Sequence, residues 1–227
     1  MNQRRSFPAG SGIFGLAEYR GKSEGINYII MKLSAIQRDI LVGTILGDAF
    51  LQKTGKKNAR LRLEHGIDQK DYLLWKVKNL QQLFQGKPKY LKRAHPISGE
   101  TYEYLRHQSQ SMPELGKWRN VFYPEGKKII PENIEELIRS PRTLAVWYMD
   151  DGCYYRRDRV SYLYLGNAAR REAELASRAL RNRFSLSAKV LAKKKGFALY
   201  FSPSETRKLA LLIEKFVIRL LSHKLPS

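Results

Sequence analysis

One pattern occurs twice in this chain: an apolar run with helical spacing that ends on an acid beside a small residue. The copies are LVGTILGDA at Leu41–Ala49 and LAVWYMDDG at Leu144–Gly152, and their aligned acids, Asp48 and Asp151, lie 103 positions apart (151 − 48). A repeat of that length is half a molecule rather than a solenoid unit, so two similar halves are expected. In the first copy Gly43 and Gly47 share a helix face at i,i+4, and in the second Ala145 sits near the same level. Small residues on one stripe let two helix backbones approach closely. If the two helices pack about a two-fold, Asp48 and Asp151 meet at their C-terminal ends. A helix C-terminus disfavours an anion, and neighbouring carboxylates repel each other. A divalent cation removes both problems. Hard oxygen ligands favour Mg²⁺, with Mn²⁺ as a substitute and Ca²⁺ binding without turnover. Water and phosphate oxygens would complete the shell, the arrangement that metal-assisted phosphodiester hydrolysis needs. Either motif alone reads equally well as a core helix whose last turn reaches solvent. The repeat, the aligned acids and the charge of the chain weigh against that reading.

The charge is strongly one-sided: 42 Lys and Arg against 21 Asp and Glu leave a formal +21. A globular chain that tolerates such self-repulsion usually binds a polyanion, and nucleic acid is the expected partner. At 227 residues the chain buries a proper core as one domain or as two of about 100 residues each. Cys153 is the only cysteine, so no intramolecular disulfide and no cysteine-based zinc site is expected. This fits a reducing intracellular compartment, a bacterial or archaeal cytoplasm or an organelle interior. No apolar run approaches the ~20 residues of a membrane span. Residues 1–33 do not read as a secretory signal; Glu18 and Glu24 weigh against an organellar leader, and a basic arm is the plainer expectation.

Ser34 and Gln37 have capping-box spacing ahead of the first apolar run, which predicts a helix to about Asp48. Strands are expected at Ala49–Thr54 and Ala59–His65, where Leu61 and Leu63 alternate with Arg60, Arg62 and Glu64. An amphipathic helix over Gln69–Phe84, strands at Lys89–His95 and Thr101–Gln108, and a helix at Met112–Phe122 follow. The order then recurs. Ser140 is a candidate N-cap with Pro141 at the first helical position, and that helix ends at Asp151. Strands at Cys153–Arg157 and Val160–Asn167, a helix at Ala169–Phe184, a hairpin of Lys189–Lys193 and Phe197–Ser202, and a helix at Ser204–Leu221 complete the second half. The fold class is therefore α+β: two αββαββα halves at 34–122 and 140–227, a connector at 123–139, and the arm at 1–33.

A sheet face carrying Arg60, Arg62, Lys89, Lys92, Arg93 and Arg106 suits a DNA major groove, touching phosphates and base edges. In the second half Tyr154, Arg156, Arg159, Tyr162, Tyr164, Lys189, Lys193, Lys194 and Lys195 are the matching candidates. Any one of them alone reads as a solvated strand residue; as a group they are too basic for that.

The two motifs resemble the signature helix of the LAGLIDADG homing endonuclease family, in its single-chain, two-motif branch. GKKIIPENI at Gly126–Ile134, followed by SPRTLAVWYMDDG, is similar to that branch's linker running into its second motif, and HKLP at His223–Pro226 to its ending. The likeness spans roughly Ile36 to Pro226. It implies a monomer with pseudo-two-fold symmetry whose antiparallel sheets form a saddle on DNA, with the motif helices at the interface between the halves. It also implies hydrolysis of both strands across the minor groove of a site of roughly 20 bp. Carried over onto this chain, the metal ligands are Asp48 and Asp151, with the backbone carbonyls of Gly47 and Asp150 assisting. Lys128 and Lys224 match the branch's basic residues, which polarise the attacking water or stabilise charge on the phosphate. Leu46 and Met149 replace the first acid of the family motif, Ala49 replaces its terminal Gly, and Asp150 stands where a small residue is usual. The function implied is a site-specific, Mg²⁺-dependent double-strand DNA endonuclease, intron-encoded or free-standing. An RNA-binding intron maturase and a catalytically inactive DNA-binding regulator are the alternatives on the same fold.

Overall fold

A computed structural model of the protein describes residues 33–226, so the expected N-terminal arm lies outside the described residues. The first half runs α1 (Ala35–Leu46), β1 (Phe50–Lys53), β2 (Ala59–Gly66), α2 (Lys70–Asn79), β3 (Lys89–Ala94), β4 (Thr101–Gln108) and α3 (Pro113–Phe122). A one-turn helix, α4 (Ile134–Leu137), interrupts the connector. The second half repeats the order as α5 (Pro141–Asp151), β5 (Gly152–Tyr155), β6 (Val160–Tyr164), α6 (Arg170–Phe184), β7 (Lys189–Lys193), β8 (Gly196–Phe201) and α7 (Pro203–Ile213). Each half carries one four-stranded antiparallel sheet, ordered β1-β2-β4-β3 and β5-β6-β8-β7. The fold is thus α+β with two pseudo-symmetric αββαββα halves.

The capping box forms as its spacing implies: Gln37 N–H donates to Ser34 Oγ at 3.2 Å, and Ser34 N–H to Gln37 Oε1 at 3.0 Å. The helix pair α1–α5 is buried almost throughout, from Asp39 to Leu46 and from Thr143 to Met149. In β2 the alternation is realised, with Ala59, Leu61, Leu63 and His65 buried and Arg60, Arg62 and Glu64 half-buried on the other face.

Three local details differ from expectation. The first helix stops at Leu46 rather than Asp48, because Gly47 turns the backbone (φ −81°, ψ −128°) out of helical geometry. Ser140 stands at the N-cap of α5 as expected, but its side chain makes no capping hydrogen bond. Its Oγ instead donates to Asp39 Oδ2 of α1 at 2.5 Å, and Pro141 leaves one fewer N–H to satisfy. In the connector, Ile134 and Leu137 of α4 are buried. The last helix ends at Ile213, and two 3-10 turns at Glu214–Phe216 and Arg219–Lys224 follow. They return the chain to α5, burying Leu221 and bringing Lys224 to the end of the motif helix.

Candidate metal and nucleic-acid site

The motif helices meet backbone to backbone. A Cβ added at Gly43 would stand 2.6 Å from the Thr143 carbonyl oxygen and 2.7 Å from Val146 Cβ. A Cβ at Gly47 would fall 2.2 Å from Asp150 Oδ2. The second glycine therefore makes room for a side chain of the opposite helix. Asp150 Oδ2 accepts the Asp48 N–H at 3.1 Å, and its Oδ1 pairs with Lys76 Nζ of α2 at 2.6 Å. Both of those side chains are 0% exposed. Lys76 Nζ also lies 3.2 Å from His65 Nε2 and 4.2 Å from the centre of the Tyr72 ring. Tyr72 donates its hydroxyl to the Val146 carbonyl at 3.3 Å. Ligand atoms of Asp48, His65 and Asp150 fall within 4.8 Å of one another, but the Lys76 ammonium already stands between the imidazole and the Asp150 carboxylate.

Lys128 and Lys224 occupy matching stations. Lys128 Nζ donates to the carbonyl of Gly47, the residue before Asp48. Lys224 Nζ donates to the carbonyl of Asp150, the residue before Asp151, at 3.1 Å, and to that of Met149 at 2.6 Å. The Lys224 backbone is itself held, its carbonyl oxygen 2.9 Å from the Tyr148 hydroxyl.

Burial and mutual repulsion make the acids reluctant to ionise. The Asp48 side chain keeps 45% of its surface exposed, yet the protein packed around its carboxyl, and then the charge of Asp150, raise it. Burial, followed by the charges of Asp48 and Asp150, pushes Asp151 up to about 8. Burial lowers both Lys128 and Lys224 despite the three nearby carboxylates. His65, buried and beside the Lys76 charge, falls to about 4 and is neutral at pH 7. Such a set of oxygen donors is stabilised by an added positive charge.

The sheet registers sort the proposed DNA contacts by face, since residues directly opposite in an antiparallel ladder point the same way. Glu64 pairs with Arg106, Arg106 with Lys89, Arg62 with Gln108 and Arg93 with Tyr102. Arg60, Arg62, Lys89, Arg93 and Arg106 therefore share the face opposite the core. Glu64 holds Arg93 at 2.7 and 3.0 Å and Arg106 at 2.5 Å on that face. Lys92 falls on the other face, 2.7 Å from Glu103. In the second sheet Tyr162 stands opposite Tyr200, which stands opposite Lys189. Around Tyr162 gather Tyr155, Tyr164 and Tyr200, at ring-centre distances of 5.3, 5.9 and 5.4 Å, with Lys193 Nζ 4.2 Å from its ring centre. Tyr154 pairs with buried Ser161 and so faces the core side. Arg156 and Arg159 are exposed in the β5–β6 turn, and Lys194 and Lys195 in the β7–β8 turn.

Sequence reasoning passed over Tyr155, Tyr200, His65 and Lys76. For Lys76 a signal existed: it lies on the apolar helical stripe of Tyr72, Leu73 and Leu80, where a lysine needs a buried anion.

The chain is 30% identical over 131 residues to protein RecA of Mycolicibacterium flavescens, covering 56% of this chain and 28% of that protein. It thus spans under a third of the length of that relative. It is 24% identical over 200 residues to the probable intron-encoded endonuclease 1 of Wickerhamomyces canadensis, covering 85% of each. Its fold is similar to that of the homing endonuclease I-WcaI bound to its DNA recognition sequence, with a TM-score of 0.79, 24% identity, and 86% and 88% of the two chains covered. The LAGLIDADG DNA endonuclease family matches residues 38–209, more than half of the chain and both motif helices, and the chain belongs to that family.

Proposed function

We propose that this protein is a site-specific double-strand DNA endonuclease that acts as a monomer, the halves at 34–122 and 140–227 each reading one side of a target of roughly 20 bp. One observation carries the reading. Two carboxylates, Asp48 and Asp151, sit at the paired ends of the motif helices, and a lysine holds the carbonyl just before each.

The donor set fits Mg²⁺: it consists of oxygens, from the two carboxylates and the carbonyls of Gly47 and Asp150, each carbonyl keeping a lone pair beside its lysine bond. Bound there, the cation would supply Lewis acidity and lower the pKa of a coordinated water. The chain's own part is positioning and charge. Asp48 and Asp151 orient the water and the phosphate. The ammonium groups of Lys128 and Lys224, anchored on backbone carbonyls, face charge that develops on the phosphate. The basic sheet faces bind the DNA backbone and present Arg and Tyr side chains to base edges.

Retention of both motif acids and both lysines favours cleavage over an RNA-binding maturase or an inactive regulator, neither of which needs all four. Among the described residues no helix is long and apolar enough to cross a membrane. A DNA substrate and a single cysteine, Cys153, support a place inside the cell.

The test starts from a target selected out of a randomised duplex library. Asp48→Asn and Asp151→Asn should each keep DNA binding while losing double-strand cutting, and EDTA should stop the unmodified protein. Cutting at the parental rate in either variant, or in excess EDTA, refutes the assignment.

A further inference from the structure

The two halves do not surround their acids in the same way. Asp48 matches Asp151, and Leu51 and Tyr154, each three residues further on, pair with Leu61 and Ser161. Past the first hairpin the offset between halves is therefore 100 (161 − 61), and α2 and α6 begin at Lys70 and Arg170 in keeping with it. By this correspondence His65 matches Leu165, Lys76 matches Ala176, and Asp150 matches Gly47. A buried imidazole, ammonium and carboxylate on the Asp48 side are replaced by an apolar residue and two small ones on the Asp151 side. A cavity of about 290 Å³ lies there, lined in part by Gly47, Asp151 and Leu165.

The backbone differs as well. Asp151 lies within α5, whereas Asp48 lies beyond the end of α1. The N–H of Asp48 has left the helix ladder, and its partner is Asp150 Oδ2 of the other motif helix. The far oxygen of that carboxylate is fixed by Lys76, a charge with no exposure to solvent. A buried ammonium and carboxylate hold each other tightly, because removing either leaves an uncompensated charge.

We propose that Lys76 is a positioning residue that acts through Asp150 to hold Asp48, so that the two strand-cutting sites are built unequally. The Asp48 site is preorganised by a side-chain clamp; the Asp151 site relies on its helix and borders a cavity. This rests on the endonuclease reading above. Preorganised geometry favours the reaction because it need not be assembled during the step.

The experiment uses the full chain and its selected target. Lys76→Met leaves Asp150 unpaired, so it is accompanied by Lys76→Met/Asp150→Leu, in which both buried charges and the acceptor of the Asp48 N–H are absent. Calorimetry of the protein–DNA complex measures Ca²⁺ affinity, and labelled strands report each cut separately in Mg²⁺. In the double variant, DNA affinity should stay within about twofold, Ca²⁺ affinity should fall about tenfold, and one strand should be cut about tenfold more slowly with the other unchanged. A folded double variant with parental Ca²⁺ affinity and parental strand ratio overturns the proposal and leaves the pair a structural tie only. A second measurement needs no variant: the unmodified protein should cut its strands at unequal rates on the target and on a copy with the central base pairs reversed. The fast cut should stay with the same half of the protein. Equal rates on both overturn the proposal while leaving the endonuclease reading intact; no cutting by the unmodified protein removes both.

Discussion

Gly43→Ala tests whether the close approach of the motif helices builds the site. In an isolated helix this change would be favourable by up to ~1 kcal/mol, because alanine is the better helix former. Here the added methyl would stand 2.6 Å from the Thr143 carbonyl oxygen and 2.7 Å from Val146 Cβ, where real contacts do not fall below 3.0 Å. The first obstacle is backbone, so relief requires α1 and α5 to separate by at least about 0.4 Å (3.0 − 2.6), and by more for an ordinary contact. Overpacking of this kind costs about 1–3 kcal/mol. A gap of about half an ångström along a packed seam also forfeits part of every contact it opens. With the propensity gain subtracted, we expect a net loss of ~1–2 kcal/mol, a fall in Tm of about 2–8 °C for a chain of this size. The same separation displaces Asp48 relative to Asp151, and such misplacement should slow cutting by about 10- to 100-fold. Thermal denaturation and a single-turnover cleavage assay measure the two effects. A variant as stable as its parent that also cuts at the parental rate would refute the close-packed interface.

Lys128→Met or Lys224→Met should slow one strand more than the other and let nicked plasmid accumulate while specific binding persists; unchanged rates for both strands in both variants would remove the lysines from the site. The pH dependence of stability should show the raised acids. Asp151 holds its proton to about 8 in the folded chain against 3.8 for the free group, so the metal-free fold binds more protons than the unfolded chain and loses stability as pH rises across that window. His65, at about 4 folded against 6.5 free, acts in the opposite sense, making stability rise with pH up to about 6.5. Above pH 6.5 His65 is spent and the acids set the sense, opposed toward alkaline pH by the lowered Lys128 and Lys224: denaturant midpoints should fall with pH between 6.5 and 8 in EDTA, and Mg²⁺ should reverse the trend. A flat or rising profile in EDTA would contradict this. Affinity for the selected target should drop steeply with salt, with a log–log slope steeper than about −5, and a footprint should span about 20 bp per single chain. A half-length footprint or two chains per target would contradict the pseudo-symmetric arrangement.

Much of this architecture is local and was open to reading in the chain. Burial acts residue by residue, so Leu61 and Leu63 alternating with Arg60 and Arg62 declare a one-sided strand, and Ser34 with Gln37 declares a helix start. The repeated motif predicts two halves, and its glycines predict a close helix pair, because an absent side chain is as visible in a sequence as a present one. The face each strand residue takes was harder to read, since period two leaves the phase open. Lys92 and Tyr154 fall on the faces opposite those expected because the ladder registers place them there. Hardest of all were the partners of charged groups. Lys76 could be seen to need a buried anion, but Asp150 stands 74 residues away, on a helix that α2 meets only when the core assembles. Lys128 and Lys224 reach backbone carbonyls 81 and 74 residues off, groups that every residue carries and no sequence marks. Composition and periodicity report what each residue must be shielded from or exposed to. Which atom answers a given charge is settled by the tertiary structure, because ion pairs and hydrogen bonds depend on distances of a few ångströms between segments that are remote along the chain.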